Sequence, residues 1–73
     1  MKITYDKETD ALYIHLVEGE QQCKTVRLTE EIALDFAEGE RLIGIEILDA
    51  REILGKGNLP KVVVENLPFQ VAA

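Results

Sequence analysis

Apolar and polar residues alternate along five short runs of this chain of 73 residues. Successive side chains of a strand point to opposite faces, so the alternation predicts strands that each bury one face. Polar or Gly-bearing turns separate the runs, and turns this short favour antiparallel neighbours. The sequence therefore predicts a five-stranded antiparallel meander, with strands over residues 2–6, 11–17, 24–28, 32–36 and 42–48.

One face of this predicted sheet is almost purely aliphatic, and we expect it to pack inward. Its members are Leu12, Ile14, Leu16, Val26, Leu28, Ile32, Leu34, Phe36, Ile43, Ile45 and Ile47. The opposite face is mostly polar, and its larger members are Tyr13, His15, Thr25, Arg27, Asp35 and Glu46. On that face Ala33 and Gly44 leave room between the larger side chains. A glycine inside a strand indicates a bulge or the close approach of another group, which we expect at Gly44.

A short helix is expected after the last strand. Asp49 and Glu52 have the spacing of a capping box, in which the first residue caps the helix and the second reaches back to it. This spacing predicts a helix from about Ala50 to Leu54, which Gly55 can end in the left-handed conformation. The predicted fold class is therefore α+β, mostly β, with one short helix after the fifth strand.

The segment over residues 55–73 contains a further predicted strand over residues 61–65, in which Val62, Val63 and Val64 are apolar on both faces. Such a strand either lies between two layers or pairs with another molecule, since an exposed apolar edge promotes aggregation. We expect residues 55–73 to form a strand or tail that belongs to the same single domain as residues 1–54 or to a dimer interface. The residues expected to contact either a partner protein or a second copy are Val62, Val63, Val64 and Phe69.

A homodimer is expected because one short helix is too small to cover a five-stranded face. Two copies could stack their aliphatic faces or exchange their C-terminal strands, and the sequence leaves both geometries open. Burying about 400 Å² of apolar surface would contribute roughly 10 kcal/mol before ordering costs, which is large for so small a domain.

The net charge and the cysteine content indicate which partners and which compartment to expect. The formal net charge of −6 repels phosphates, so we expect no direct contact with nucleic acid and a preference for basic partners. Cys23 is the only cysteine, which excludes an internal disulfide and makes a reducing cytoplasm the simplest compartment. No apolar run approaches the roughly 20 residues of a membrane helix, and no secretion signal is recognisable, so we expect neither secretion nor membrane insertion.

Candidate chemistry is sparse. Serine is absent, a single histidine is present, and no recognised metal-ligand spacing occurs, so we assign no catalytic residue, metal or cofactor and expect no enzyme. The polar face has two interpretations. It is either the solvated side of a one-sided sheet, or a shallow site that binds a small molecule or metal through Tyr13, His15, Arg27, Asp35 and Glu46.

Two blocks of the sequence resemble a known family. They are Tyr5-Asp6-x-x-x-Asp10-Ala11-Leu12-Tyr13-Ile14 and Leu42-Ile43-Gly44-Ile45-Glu46-Ile47-Leu48-Asp49-Ala50, with Leu34-Asp35 just before the second. With this order and separation the chain is similar to the small prokaryotic family called domain of unknown function 2283, over about residues 3–54. The resemblance implies a small β-rich domain without established catalytic residues. It also implies an antitoxin-like role, because some members are encoded beside a small toxin-like protein.

The leading functional interpretation is a small acidic protein-interaction module, dimeric and non-enzymatic, that is an antitoxin-like partner of a small basic protein. An acidic inhibitor is attracted to the basic cleft of many RNA-cutting toxins, which agrees with the charge of this chain. The alternative is a small-molecule or metal-binding protein that uses the polar sheet face.

Overall fold

The structure is a computed structural model that describes residues 1–66 and residue 68. Five strands form a single antiparallel sheet, and one short helix follows the last of them, which confirms the predicted fold class. The elements are β1 (Lys2–Asp6), β2 (Ala11–His15), β3 (Lys24–Arg27), β4 (Ile32–Ala37), β5 (Arg41–Ile47) and α1 (Ala50–Gly55).

The strand order is β1-β2-β5-β4-β3, so the sheet is not a sequential meander. A hairpin of β1 and β2 lies beside a three-stranded meander of β3, β4 and β5, and β2 pairs with β5 in the middle. Residues 16–23 carry the chain across the end of the sheet to its far edge. This order places Ile14 opposite Ile45 and Leu12 opposite Ile47, so aliphatic side chains meet across the central pair.

The helix packs on the aliphatic face and forms the core there. Leu12, Ile47 and the fully buried Ala50 make its centre, and the half-buried apolar side chains packed around them are Tyr5, Ile14, Ile32 and Ile45. The prediction that this face points inward is confirmed where the helix covers it. A helix of six residues covers only part of the aliphatic face, so the rest of that face remains exposed.

The polar face is less solvated than the alternation predicts. Ala33, Asp35 and Ala37 are buried, and Asp35 is only 7% exposed. The expectation of a wet face is wrong at these positions, because larger side chains of the same face fold over the smaller ones. Ala33 lies in register between Arg27 and Glu46, whose side chains form an ion pair at 3.4 Å.

The structure shows both features expected around Gly44, a β-bulge and the close approach of another group. Asp35 lies opposite Gly44 whereas Phe36 lies opposite Leu42, so β5 has one extra residue, Ile43, at a β-bulge. The ring of Tyr13 also passes over Gly44, at a distance that leaves no space for a Cβ atom. The bulge at Ile43 and the close approach at Gly44 are therefore adjacent in β5.

The predicted capping box is wrong. Asp49 has φ 52° in the left-handed region, and its side chain makes no capping hydrogen bond. The start of α1 is instead held by Asp10 in the β1–β2 turn, whose carboxylate accepts the Arg51 N–H at 3.2 Å and whose carbonyl accepts the Ala50 N–H at 3.0 Å. The left-handed position at the other end is Lys56, one residue later than predicted.

The strand predicted over residues 61–65 is absent from the structure, which shows irregular backbone there. A strand forms only where a neighbouring strand supplies hydrogen-bond partners, and no described residue supplies them to this segment. Val62, Val63 and Val64 are consequently exposed. The expected contact at Phe69 lies outside the described residues. Among the described residues, no helix is long and apolar enough to span a membrane.

Candidate functional site

The five residues proposed for a ligand site occupy two neighbouring rows on the polar face. One row runs in register from Arg27 through Ala33 and Glu46 to Tyr13. The other runs from Thr25 through Asp35 and Gly44 to His15. The strand pairing thus brings side chains from β2, β3, β4 and β5 onto one patch, although they are widely separated in the sequence.

Asp35 is the centre of this patch. One carboxylate oxygen, Oδ2, accepts a hydrogen bond from the Tyr13 hydroxyl at 2.5 Å, and Oδ1 accepts one from the Thr25 hydroxyl at 2.6 Å. Gln22 in turn donates to the Thr25 oxygen at 2.5 Å. Two hydroxyl groups thus supply hydrogen bonds to this buried carboxylate. Both oxygens of Asp35 are therefore occupied by bonds from within the chain.

The Tyr13 hydroxyl reaches Asp35 by crossing from its own row into the next. It can do so only because Gly44, which lies in register beside Asp35, has no side chain in the way. The ring of Tyr13 also contacts the imidazole of His15, with ring centroids 4.4 Å apart and a tilt of 58°. Tyr13, Gly44, Asp35 and His15 thus form one packed group.

Burial raises the pKa of Tyr13 to about 12, and the hydrogen bond to Asp35 adds to the effect. The negative charges of Asp35 and Glu46 act in the same direction, because they disfavour a tyrosinate. Tyr13 is therefore a hydrogen-bond donor at neutral pH and unsuited to act as a base. Arg27 and Glu46 pair with each other beside the group, and both remain partly exposed.

The structure thus joins Tyr13 to Asp35 by a hydrogen bond, places His15 against Tyr13, and pairs Arg27 with Glu46 one row away. In the described part of the chain, no group of three or more His, Cys, Asp or Glu side chains is arranged to hold a metal ion. Cys23, just before β3, is exposed, and its sulfur is 3.8 Å from the Gln21 carbonyl oxygen.

A second tyrosine–aspartate pair was not expected from the alternation. The Tyr5 hydroxyl donates to Asp10 at 2.6 Å, and the same carboxylate holds the first turn of α1 and lies 3.7 Å from the Arg51 guanidinium. This bond is the main cause of the raised pKa of Tyr5. The signal was present in the first sequence block, which contains Tyr5 and Asp10, but a local spacing cannot reveal a helix 40 residues further along.

The aliphatic face is only partly covered by α1. One residue from each strand lies in a single cross-strand line, which we call the aliphatic row: Ile3, Ile14, Ile45, Leu34 and Val26. Ile3 is 43% and Val26 is 37% exposed, and the three central members are half-buried. With strands about 4.8 Å apart, the row extends over roughly 19 Å beside the part of the face that α1 covers.

The segment after the helix borders the same face. Leu59, Pro60 and Val62 enclose a cavity of about 260 Å³ against side chains of β1 and β2. The sheet residues that line it are Ile3, Tyr5 and Leu12, so the cavity begins at the β1 end of the aliphatic row.

This geometry defines a small one-layer β-sheet domain with a closed polar cluster on one side and a half-covered apolar surface on the other. The chain matches the family described as "Protein of unknown function (DUF2283)" over residues 2–51, and it belongs to that family. The expected family is thereby confirmed. No curated protein and no solved structure matches the chain.

The residues that carried the family resemblance have structural roles here. Tyr5 and Asp10 hold the helix, and Tyr13 uses the space above Gly44 to reach Asp35. The matched span ends inside α1, so residues 59–66 lie beyond it.

Proposed function

We propose that this chain is a non-enzymatic protein-interaction module that binds a small basic protein, in the manner of an antitoxin, through its aliphatic row. The observation that supports this proposal is the row itself. Side chains from all five strands form one continuous apolar line that the helix leaves partly exposed. A contiguous exposed apolar patch is typical of an interaction surface.

Charge supports a basic partner over an acidic one. Acidic side chains stand in the turns at both ends of the strands, so they border the aliphatic row above and below. Exposed examples are Glu8 and Glu30 at one end and Glu18 and Glu38 at the other. An apolar centre with a charged rim is the usual anatomy of a protein interface, and complementary rim charges increase the rate of association.

The polar face gives less support to a ligand-binding function. Both carboxylate oxygens of Asp35 already accept bonds from Tyr13 and Thr25, and Arg27 is paired with Glu46. A ligand at this patch would have to displace short internal hydrogen bonds, whereas a protein at the aliphatic row would displace only water. We therefore propose the interaction module as the function.

The test is capture of partners from the native lysate by the tagged chain and by two matched variants. Val26→Lys places a charge in the aliphatic row on edge strand β3, and Thr4→Lys places the same charge on the opposite face of edge strand β1. We expect a stoichiometric small basic protein with the wild type and Thr4→Lys, and its loss with Val26→Lys.

Two outcomes contradict the proposal. In one, no protein is held in stoichiometric amount by the wild-type chain. In the other, the partner stays bound to Val26→Lys but is lost from Thr4→Lys, which would move the interface to the polar face. Circular dichroism of each variant verifies that the sheet is intact before binding is compared.

A further inference from the structure

The segment Lys61–Glu65 is exposed, has three valines between its charged ends, and has no backbone partners in the described part of the chain. Val62, Val63 and Val64 are 59%, 63% and 59% exposed. No backbone hydrogen bond joins the segment to another described residue. Three consecutive valines strongly favour a strand, so this segment has the side chains of a strand but lacks a neighbour to pair with.

The sequence of the segment is complementary to itself. When two copies are aligned antiparallel about Val63, Lys61 of each copy lies opposite Glu65 of the other. In the same alignment Val62 lies opposite Val64, and Val63 lies opposite Val63. Opposite charges and paired β-branched residues both stabilise cross-strand neighbours. Every position thus meets a favourable partner under a twofold axis.

We propose that Lys61–Glu65 is a dimerisation strand, which pairs antiparallel with the same segment of a second copy of this chain about a twofold axis at Val63. The charge complementarity identifies a second copy as the partner. An unrelated protein would not be expected to match a lysine and a glutamate at the two ends of a three-valine strand. The proposal concerns the tail and uses only the part of the aliphatic face near Ile3 and Leu12, so it can hold or fail independently of the proposed function.

The position of the segment supports this arrangement. A two-stranded ribbon alone is marginally stable in water, so it needs an apolar surface to pack on. Val62 already lines the cavity against Ile3 and Leu12, on the aliphatic face of the sheet. In an extended strand Val64 points to the same side as Val62, so the ribbon would direct four valines, two from each copy, toward the two sheets.

Charge exchange provides the test, with sedimentation equilibrium as the readout. Lys61→Glu and Glu65→Lys each replace two attractive cross-strand pairs by two repulsive ones, and each should weaken the dimer by about tenfold or more. The double variant K61E/E65K restores the complementarity in the opposite order and should return the dissociation constant close to that of the wild type. Lys7→Glu, in the exposed β1–β2 turn, has the same charge change as K61E and serves as the control.

Mixing the two single variants gives an independent check. One then carries acidic residues at both ends of the segment and the other carries basic residues, so the mixture should form a heterodimer although each variant alone dissociates. A wild-type chain that remains monomeric at about 100 µM, and so has a dimer dissociation constant well above that concentration, would overturn the proposal. So would a double variant as weak as the single variants.

Cross-linking defines the register. In a Cys23→Ser background, V63C should form a disulfide-linked dimer on mild oxidation, because antiparallel partners lie about 4.5–5.5 Å apart at Cα, within the range of a disulfide. V62C lies opposite position 64 of the other copy and should cross-link much more slowly. Equal rates for the two variants, or no cross-link for V63C, would contradict the twofold axis at Val63.

Discussion

The space above Gly44 is predicted to be necessary for the stability of the sheet. A Cβ atom at this position would lie 2.6 Å from Cζ and 2.9 Å from Cε1 of Tyr13, closer than real Cβ atoms approach other atoms. Gly44→Ala therefore forces the Tyr13 ring to move and breaks its bond to Asp35. Backbone strain does not contribute, because Gly44 is not in the left-handed region.

The expected cost follows from the hydrogen bond that is lost. Asp35 is 7% exposed, and without Tyr13 it keeps only the Thr25 bond. Hydrogen bonds to charged groups contribute about 1.5–3 kcal/mol, so Gly44→Ala should lower the free energy of unfolding by about 2–3 kcal/mol. A domain of this size has only about 4–11 kcal/mol in total, so the melting temperature should fall by about 10 °C or more.

Urea denaturation followed by circular dichroism measures this loss, and a double-mutant cycle identifies its cause. The three atoms nearest to the added Cβ all belong to Tyr13, so Gly44→Ala should cost almost nothing in a Tyr13→Ala background. Gly55→Ala is the matched control, because its Cβ would meet Pro60 at an ordinary 3.5 Å. Equal costs of Gly44→Ala in both backgrounds would show that the loss does not come from the contact with Tyr13.

Three further results are expected. Asp10→Ala should destabilise the protein by about 1–2 kcal/mol because it removes the acceptor at the start of α1, whereas Asp49→Ala, whose side chain makes no capping bond, should lose less in the same urea titration. Tyr13 has a pKa of about 12 against an ordinary value of 10, so its contribution to stability is complete below pH 10 and should be lost as the pH rises toward 12. Tyr13→Phe should be less stable than the wild type at pH 7, and the difference should shrink over that interval, which thermal melts at stepped pH can follow. Arg41→Gln removes one charge of the Glu20–Arg41 ion pair at the surface and should change the urea midpoint little. A large shift would show that this ion pair stabilises the protein more than expected.

The strands and their two faces could be predicted because they depend on local alternation. A period of two identifies which side chains share a face, and Ile14 and Leu34 are on the aliphatic side as expected. The order of the strands in the sheet could not be predicted from this alternation. The pairing of β2 with β5 depends on the path of residues 16–23, whose sequence has no periodicity that specifies where they go.

The contacts in the polar cluster and at the start of the helix could not be predicted from the sequence either. The sequence placed Tyr13 and Asp35 on one face but could not indicate that they touch, because their contact depends on register and on the space above Gly44. The cap was assigned to Asp49, the nearest acceptor along the chain. The actual cap, Asp10, is 41 residues from the amide that it binds, so only the folded sheet brings them together.

The strand predicted over residues 61–65 has a related explanation. β-Propensity describes how well a side chain fits a pleated surface, and a strand still requires a neighbour. The single chain offers none to this segment among the described residues. The strand does not form in one copy, and the proposed pairing of two copies would supply the missing neighbour.

The proposed function makes the aliphatic row the surface that the partner covers. It is tested most directly by methyl NMR of the free chain and of its complex with the captured partner, each with a soluble paramagnetic agent. The account predicts that the methyl groups of Ile14, Leu34 and Ile45 become protected from the agent in the complex, while those of Thr4 and Thr25 on the polar face do not. Protection of Thr4 and Thr25 with an unchanged aliphatic row would contradict it.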